Sequence, residues 1–448
     1  MNWSKILRRL IFTSSAIILL LVCLVAPIDR TPLRDQAFYL EMQERLDDFS
    51  LDHHEAAAPL RVGWSKFSII PEEPVPMSGY RIRDKFTDVH DSLYARVLAV
   101  DNGSITAYIV SMDLLIFPPE LKSLLEERLG GATSFVYFNA SHTHTSVGGW
   151  DPTLLGNILM GDYQADWMNH VADGIIEHMS LAKEDLKRAS LFEWEVDASE
   201  HVSHRIDKTG ESLVDGKIRG VSVLRSDSSK GLLFSYSVHP TLIGRKKTSL
   251  SGDYPAEAVA DLSREYEFTQ FLAGMMGSHG VMGLKVFEFE LTSTIGRSLA
   301  SKMRGAEAQP LSDTLEIKTG AIEVAMGPSQ LRLTKDLKLR DWVFRQVVGP
   351  LHGEVRILKI GNILFLGMPC DFSGEVFVEE ELSRKADALG LNLIVTSFNG
   401  DYTGYITADK HYDTSAHEEV RALNWVGPYF GAYYSEIIER VLEKSVSD

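Results

Sequence analysis

The sequence predicts an α/β fold: one large domain of mixed β-sheets flanked by helices, preceded by a single N-terminal transmembrane helix. Three observations lead there. From Leu60 onward, short β-rich runs alternate with helix-length segments. Some of those runs are joined by tight turns and others by long crossovers, which argues for mixed sheets and against a purely parallel one. Ahead of them, an apolar stretch fills residues 10–28.

That stretch is close to the ~20 residues needed to cross hydrocarbon. Lys5, Arg8 and Arg9 precede it and favour an inside N-terminus, so the rest of the chain is expected outside the cytoplasm, periplasmic or extracellular. Residues 1–28 therefore read as a signal anchor or a signal peptide. The run is long for a signal-peptide core, and no clear pair of small residues closes it. Residues 29–59 read as a connector, with Leu40, Met42, Leu46 and Phe49 as a sparse apolar stripe. His53-His54-Glu55 reads as its solvated end. The folded, catalytic region is then 60–448.

Within it, residues 94–100 and 105–111 form a hairpin around Asp101-Asn102-Gly103-Ser104. Pro118-Pro119-Glu120 opens a helix to about Leu129, stopped by Gly130-Gly131. A strand follows at 135–139, a helix at 164–181, and strands at 191–196, 220–224 and 232–238. Helices are expected at 256–265, 288–303 and 376–389, and strands at 268–272, 354–360, 363–366 and 393–396.

Composition narrows the function. Of 448 residues, 44% are hydrophobic and 24% charged, as in an ordinary folded protein. The formal net charge of -17, with no basic block after the N-terminus, repels phosphate backbones and argues against nucleic acid. The two cysteines, Cys23 and Cys370, give no disulfide framework.

Four loops carry residues suited to chemistry. In Asn139-Ala140-Ser141-His142-Thr143-His144, ending at Gly148-Gly149, two imidazoles one residue apart follow a buried strand and point the same way if the chain is extended. One suits a metal and the other a substrate; hydrogen-bonded loop histidines are the plainer alternative. His239 closes another apolar strand, and polar strand ends in sheet proteins commonly converge on a crevice. Asp371 closes a third, where a carboxylate needs a partner or a metal, or else caps the next helix. The loop from Phe398 to Thr407 is polar and carries Tyr402 and Tyr405. Two imidazoles, a carboxylate and a phenol together suit zinc with an open position.

From about residue 61 to 434 the chain resembles the N-terminal catalytic domain of the neutral/alkaline ceramidases. The resemblance rests on Val62-Gly63-Trp64-Ser65, Gly79-Tyr80, Val89-His90-Asp91-Ser92-Leu93-Tyr94-Ala95-Arg96 and Ser111-Met112-Asp113. The His142 loop, the His239 strand end and Ser251-Gly252-Asp253-Tyr254-Pro255 continue it in the same order. It implies a zinc-dependent amidohydrolase that cleaves the N-acyl bond of a ceramide-like lipid or related linear amide. It further implies zinc on His142, His239, Asp371 and Tyr405, with His144 facing an amphiphilic amide substrate, and Asp113 as an acid that either supports the ligands from behind or is structural.

Two departures stand out. Asp371 occupies a position where the family typically has glutamate. The family's catalytic serine lies in a glycine-containing loop that here reads Ala273-Gly274-Met275-Met276-Gly277-Ser278-His279-Gly280. Without a gap the serine position falls on Gly280; with one inserted residue it falls on Ser278. These changes keep a second expectation open, a ceramidase-like binding or scaffold protein of the cell envelope with impaired catalysis.

Overall fold

Eight strands make the path of the larger sheet in the computed structural model, which describes residues 3–80, 82–130, 134–283 and 287–447. They are β1 (Arg61–Ser68), β2 (Tyr94–Asp101), β3 (Thr106–Met112), β4 (Ser134–Ala140), β5 (Lys187–Asp197), β6 (Lys217–Arg225), β7 (Lys230–Tyr236) and β8 (Phe268–Ala273). The order across the sheet is β8-β7-β6-β5-β1-β2-β3-β4. The central pairs are antiparallel, whereas the outer pairs β3/β4 and β7/β8 are parallel.

A second sheet contains β9 (Ile317–Glu323), β10 (Glu354–Ile360), β11 (Ile363–Gly367) and β12 (Asn392–Thr396), with Asp52–His54 at its edge. Its β11/β12 pair is also parallel.

Strand periodicity builds the layers. Along β2, Ala95, Val97 and Ala99 face one core, while Leu98 and Val100 face another. Along β11, Ile363 and Phe365 join that same second core, whereas Leu364 and Leu366 face a third. The two sheets therefore stack face to face and bury apolar side chains between them, and each outer face needs a further cover.

Helices supply it. Over the first sheet lie α4 (Ala165–Glu184), α5 (Asp253–Leu262) and α6 (Glu288–Arg304), placed after the earlier helices α1 (Trp3–Leu24), α2 (Ala37–Asp48) and α3 (Pro119–Leu129) in the chain. Over the second lie α2, α7 (Gly374–Glu379) and α8 (Phe430–Val446). The result is a helix–sheet–sheet–helix stack, the mixed α/β domain expected.

The hairpin, the strand near 135–139 and the helices after Pro118 and Gln164 form where the sequence places them. Gly103 takes φ 87° in the hairpin turn, where Asn102 Oδ1 accepts from the N–H groups of Ser104 and Ile105, each at 3.1 Å. Gly130 ends α3 in the left-handed region; Gly131 lies outside the described residues. The helix expected at 376–389 is broken into Gly374–Glu379 and Leu382–Ala388 by Glu381 at φ 50°.

The N-terminal transmembrane helix is corrected. Among the described residues no helix is long and apolar enough to cross a membrane. The apolar stretch 10–28 is not one helix. Its helical part begins inside α1, includes Thr13, Ser14 and Ser15, and ends at Leu24, short of the ~20 residues a span requires. Val25–Pro27 then pairs as a strand with Leu337–Leu339, and Arg340 Nε donates to Val22 O at 2.9 Å.

The stretch 29–59 packs against the second sheet. Met42 and Leu46 of α2 are completely buried beneath α8, and Asp52–His54 extends the second sheet against β9. Phe38, Tyr39 and Phe49 pack beside Met42 and Leu46, whereas Leu40 of the expected stripe is exposed. Met42→Ala and Leu46→Ala are each expected to lower unfolding stability by about 2–5 kcal/mol, read from chemical denaturation; unchanged midpoints would mean that α2 does not belong to the folded body.

Candidate metal centre at the strand ends

The three parallel pairs deliver their C-terminal ends to one place. Ser141-His142 follows β4, His239 follows β7, Gly274 follows β8, Asp371 follows β11 and Phe398 follows β12. A parallel pair leaves its crossovers at the same edge, so loops after such strands meet without any residue being near another in sequence.

Local features fix each loop. His142 sits at φ 63°, left-handed backbone that a non-glycine residue adopts only when its surroundings hold it there. Its ring stacks on Phe398 at 4.1 Å between centroids and 13° between planes. The next residues are pinned to the Ser251 carbonyl, which accepts from Thr143 Oγ1 at 2.6 Å and Thr145 Oγ1 at 2.9 Å. The same Ser251–Pro255 segment holds the His239 strand end, because Tyr254 O–H donates to Val238 O at 2.5 Å and Asp253 Oδ2 accepts from Leu242 N–H at 3.0 Å. One motif thus positions both histidine loops. Gly79, at φ +102°, lets the backbone pass directly over His144; a Cβ there would lie 2.3 Å from its Cα.

The three Nε2 atoms of His142, His144 and His239 converge. His142 to His239 is 2.9 Å, His144 to His239 is 2.9 Å, and His142 to His144 is 3.4 Å. His142 Nδ1–H donates to Leu115 O at 2.5 Å, so its Nε2 presents a lone pair to the group. His239 Nδ1 lies 2.6 Å from Arg205 Nη1 and 3.3 Å from Met276 O. Burial drives the pKa of His144 down to about 3, with Arg205 adding to the effect, and holds His142 and His239 well below the usual range. Protonation is therefore not what holds these rings together.

Asp371 is completely buried beside them, with Oδ1 3.4 Å from His142 Nε2 and without a hydrogen-bond partner. Tyr402 O–H donates to its other oxygen, Oδ2, at 2.7 Å. Burial raises the Asp371 pKa to about 7, against the opposing pull of Tyr402. Tyr405 faces Asp371 and Arg205, and its ring lies 6.3 Å from that of His239; burial, then Asp371, pushes its phenol upward. Three imidazoles, a carboxylate and a phenol thus share one buried place. Asp113 is held apart from it, paired with Arg96 at 2.6 Å.

Ser278 lies in a different setting. It is completely buried, and its Oγ accepts from the backbone N–H of Glu375 at 3.1 Å, at the start of α7. Among the described residues no hydrogen bond joins it to any of the three imidazoles. Gly280 sits in a short strand opposite Ser203. At Gly277 a Cβ would come within 2.4 Å of the Asp371 carbonyl oxygen, so that position needs glycine.

Arg205 is a site residue that the sequence does not single out. It sits in a polar loop of unremarkable composition, and only the fold brings it to His239. Glu375, His204 and His411 are in the same position: they form a second buried group, with Glu375 Oε2 3.0 Å from His204 Nε2 and 2.8 Å from His411 Nε2. There, His204 Nδ1 accepts from Asp207 N–H at 2.8 Å, so the neutral ring carries its proton on Nε2 and donates it to Glu375. Glu375 Oε2 accepts there from both rings, whereas at His142 three imidazole Nε2 atoms converge on one another.

No family model matches the chain. Solved structures do. A neutral ceramidase from Pseudomonas aeruginosa aligns over 87% of this chain and 75% of its own, with a TM-score of 0.74 and 18% sequence identity. A ceramidase complexed with C2 aligns over 87% and 76%, with a TM-score of 0.71 and 16% identity. At these identities it is the fold that is shared: the chain has the neutral-ceramidase fold.

Proposed function

We propose that the protein is a zinc-dependent amide hydrolase acting on the N-acyl bond of a ceramide-like lipid or related linear amide. The observation that carries the reading is the meeting of three buried imidazole Nε2 atoms within 3.4 Å of one another. Buried lone pairs that face each other repel, and a single proton can relieve only the contacts of the nitrogen that bears it. A cation relieves them all, and nitrogen and oxygen donors in this number suit zinc.

The orphaned Asp371 Oδ1 strengthens the fit, since a buried carboxylate oxygen without a partner is costly. His142, His144 and His239 would hold the ion through Nε2, with Asp371 and Tyr405 as the oxygen donors at its side. The Arg205 N–H donates to His239 Nδ1 at 2.6 Å; zinc on Nε2 would require the Nδ1 proton to turn to Met276 O, 3.3 Å away, and Arg205 to shift onto its other partners, Glu419 and Tyr405.

Zinc in that place supplies a Lewis acid that polarises an amide carbonyl. The protein's own groups supply the rest. The stacked Phe398 ring and the buried loops exclude bulk water from one side of the imidazoles. Tyr402 occupies Asp371 Oδ2, so Oδ1 is left as the oxygen that would face the ion. The His144 ring packs against that of Tyr80 at 5.1 Å between centroids. The solved ceramidases of the same fold make a ceramide-like amide the first substrate class to test.

Metal analysis of the purified protein is expected to find about one zinc per chain, with strong loss in His142→Ala and His239→Ala. Parent protein without zinc, or variants that retain it, would sink the proposal. Hydrolysis is best read with fluorogenic amide and ester probes of equal acyl length: turnover of the amide, abolished by chelation, is the expected result, whereas bound zinc with no amide turnover would favour a binding or scaffold role.

Ser278→Ala separates a direct mechanism from a serine nucleophile. It removes one hydrogen bond from the start of α7, worth about 1 kcal/mol of stability, and is expected to leave zinc content and most amide turnover in place. Complete loss of turnover in a folded, zinc-loaded variant would return the serine to the chemistry.

A further inference from the structure

We infer that Glu375 is a positioning residue for the histidine centre, a role that rests on the zinc reading of that centre. Glu375 is completely buried, yet it is charged: two imidazole N–H groups and Lys410 Nζ, 2.7 Å from Oε1, hold its carboxyl well below the usual carboxylate range. A carboxylate with that many partners in so buried a place is costly unless the partners are kept.

The partners come from each segment that feeds the centre. His204 adjoins Arg205, the residue on His239 Nδ1. His204 is also the register partner of His279, whose carbonyl accepts from His239 N–H at 3.4 Å. His411 closes the loop that begins at Tyr405. The Glu375 backbone N–H binds Ser278, whose own carbonyl accepts from Arg205 N–H at 2.8 Å. Glu375 itself lies four residues after Asp371, in the first turn of α7. Gly374 beside it permits the close packing, because a Cβ there would lie 2.1 Å from His279 Cε1.

One carboxylate therefore ties Arg205, His239, Tyr405 and Asp371 together without touching any of them. Its removal leaves the three imidazoles in the chain but loosens the orientation of the groups around them.

The test uses the full-length protein loaded with Co2+, whose visible absorption reports ligand geometry. The variants are Glu375→Gln, which turns one acceptor oxygen into a donor facing an imidazole N–H, His411→Gln, which keeps an N–H directed at Glu375, and His411→Leu, which does not. Glu375→Gln and His411→Leu are expected to bind Co2+ with a displaced visible band, and to lose about 10–100-fold in kcat at little change in KM. His411→Gln is expected to keep the parent band and most of kcat. Parent-like spectrum and kcat in both Glu375→Gln and His411→Leu would overturn the inference while leaving the zinc reading intact. Equal loss in His411→Gln and His411→Leu would also overturn it, since only bulk at position 411 would then matter. A parent protein that takes up no Co2+ would remove the zinc reading and this inference with it.

Discussion

The side-chain amide of Asn139 joins the two sheets at the edge where the histidine centre forms. Its Oδ1 accepts from Ala273 N–H at 2.9 Å, and its Nδ2 donates to Ser397 O at 2.7 Å. Asn139 belongs to β4, Ala273 ends β8, and Ser397 follows β12, so one fully buried side chain spans three strand ends from two sheets. Apolar packing between the sheets fixes their separation but has no direction; hydrogen bonds to a buried amide do. Leaving such partners unsatisfied costs more than the bonds contribute when made. The relative offset of the sheets is thereby set where it matters, because His142 lies three residues beyond Asn139 and Phe398 follows Ser397.

Much of the architecture was legible because strand and helix periods survive burial on both faces. The runs at 94–100, 354–360 and 363–366 are β-branched or aliphatic and bounded by turn residues, and they are strands. What misled was the N-terminus. Hydrophobicity alone cannot separate a span from an apolar stretch that changes from helix to strand at Val25, since the change is set by pairing with Leu337–Leu339 more than 300 residues away. Within 29–59, Met42 and Leu46 look too sparse for a core helix until α8 supplies the other side.

The centre was legible in its loops and illegible in its neighbours. His142, His144, His239, Asp371 and Tyr405 stand at strand ends in polar or glycine-containing segments, a recognisable setting, and the fold brings them to one place. Arg205, Glu375, His204 and His411 occupy no such setting. They matter through contacts across 34 to 171 residues of chain, and nothing local marks them. Ser278 stands among glycines after a strand, and its hydroxyl accepts from the backbone N–H at a helix start.

Two buried polar groups lie side by side in this protein, and their bonding separates their roles. Around Glu375 the His204 and His411 N–H groups find an acceptor in Oε2, and Lys410 Nζ lies 2.7 Å from Oε1. Around His142 the nitrogens face one another, the nearest carboxylate oxygen has no partner, and burial depresses imidazole protonation. Unpartnered buried acceptors are costly, and a cation would satisfy them. The Glu375 group is suited to holding geometry and the His142 group to holding a cation, and the two adjoin through the His204–Arg205 peptide.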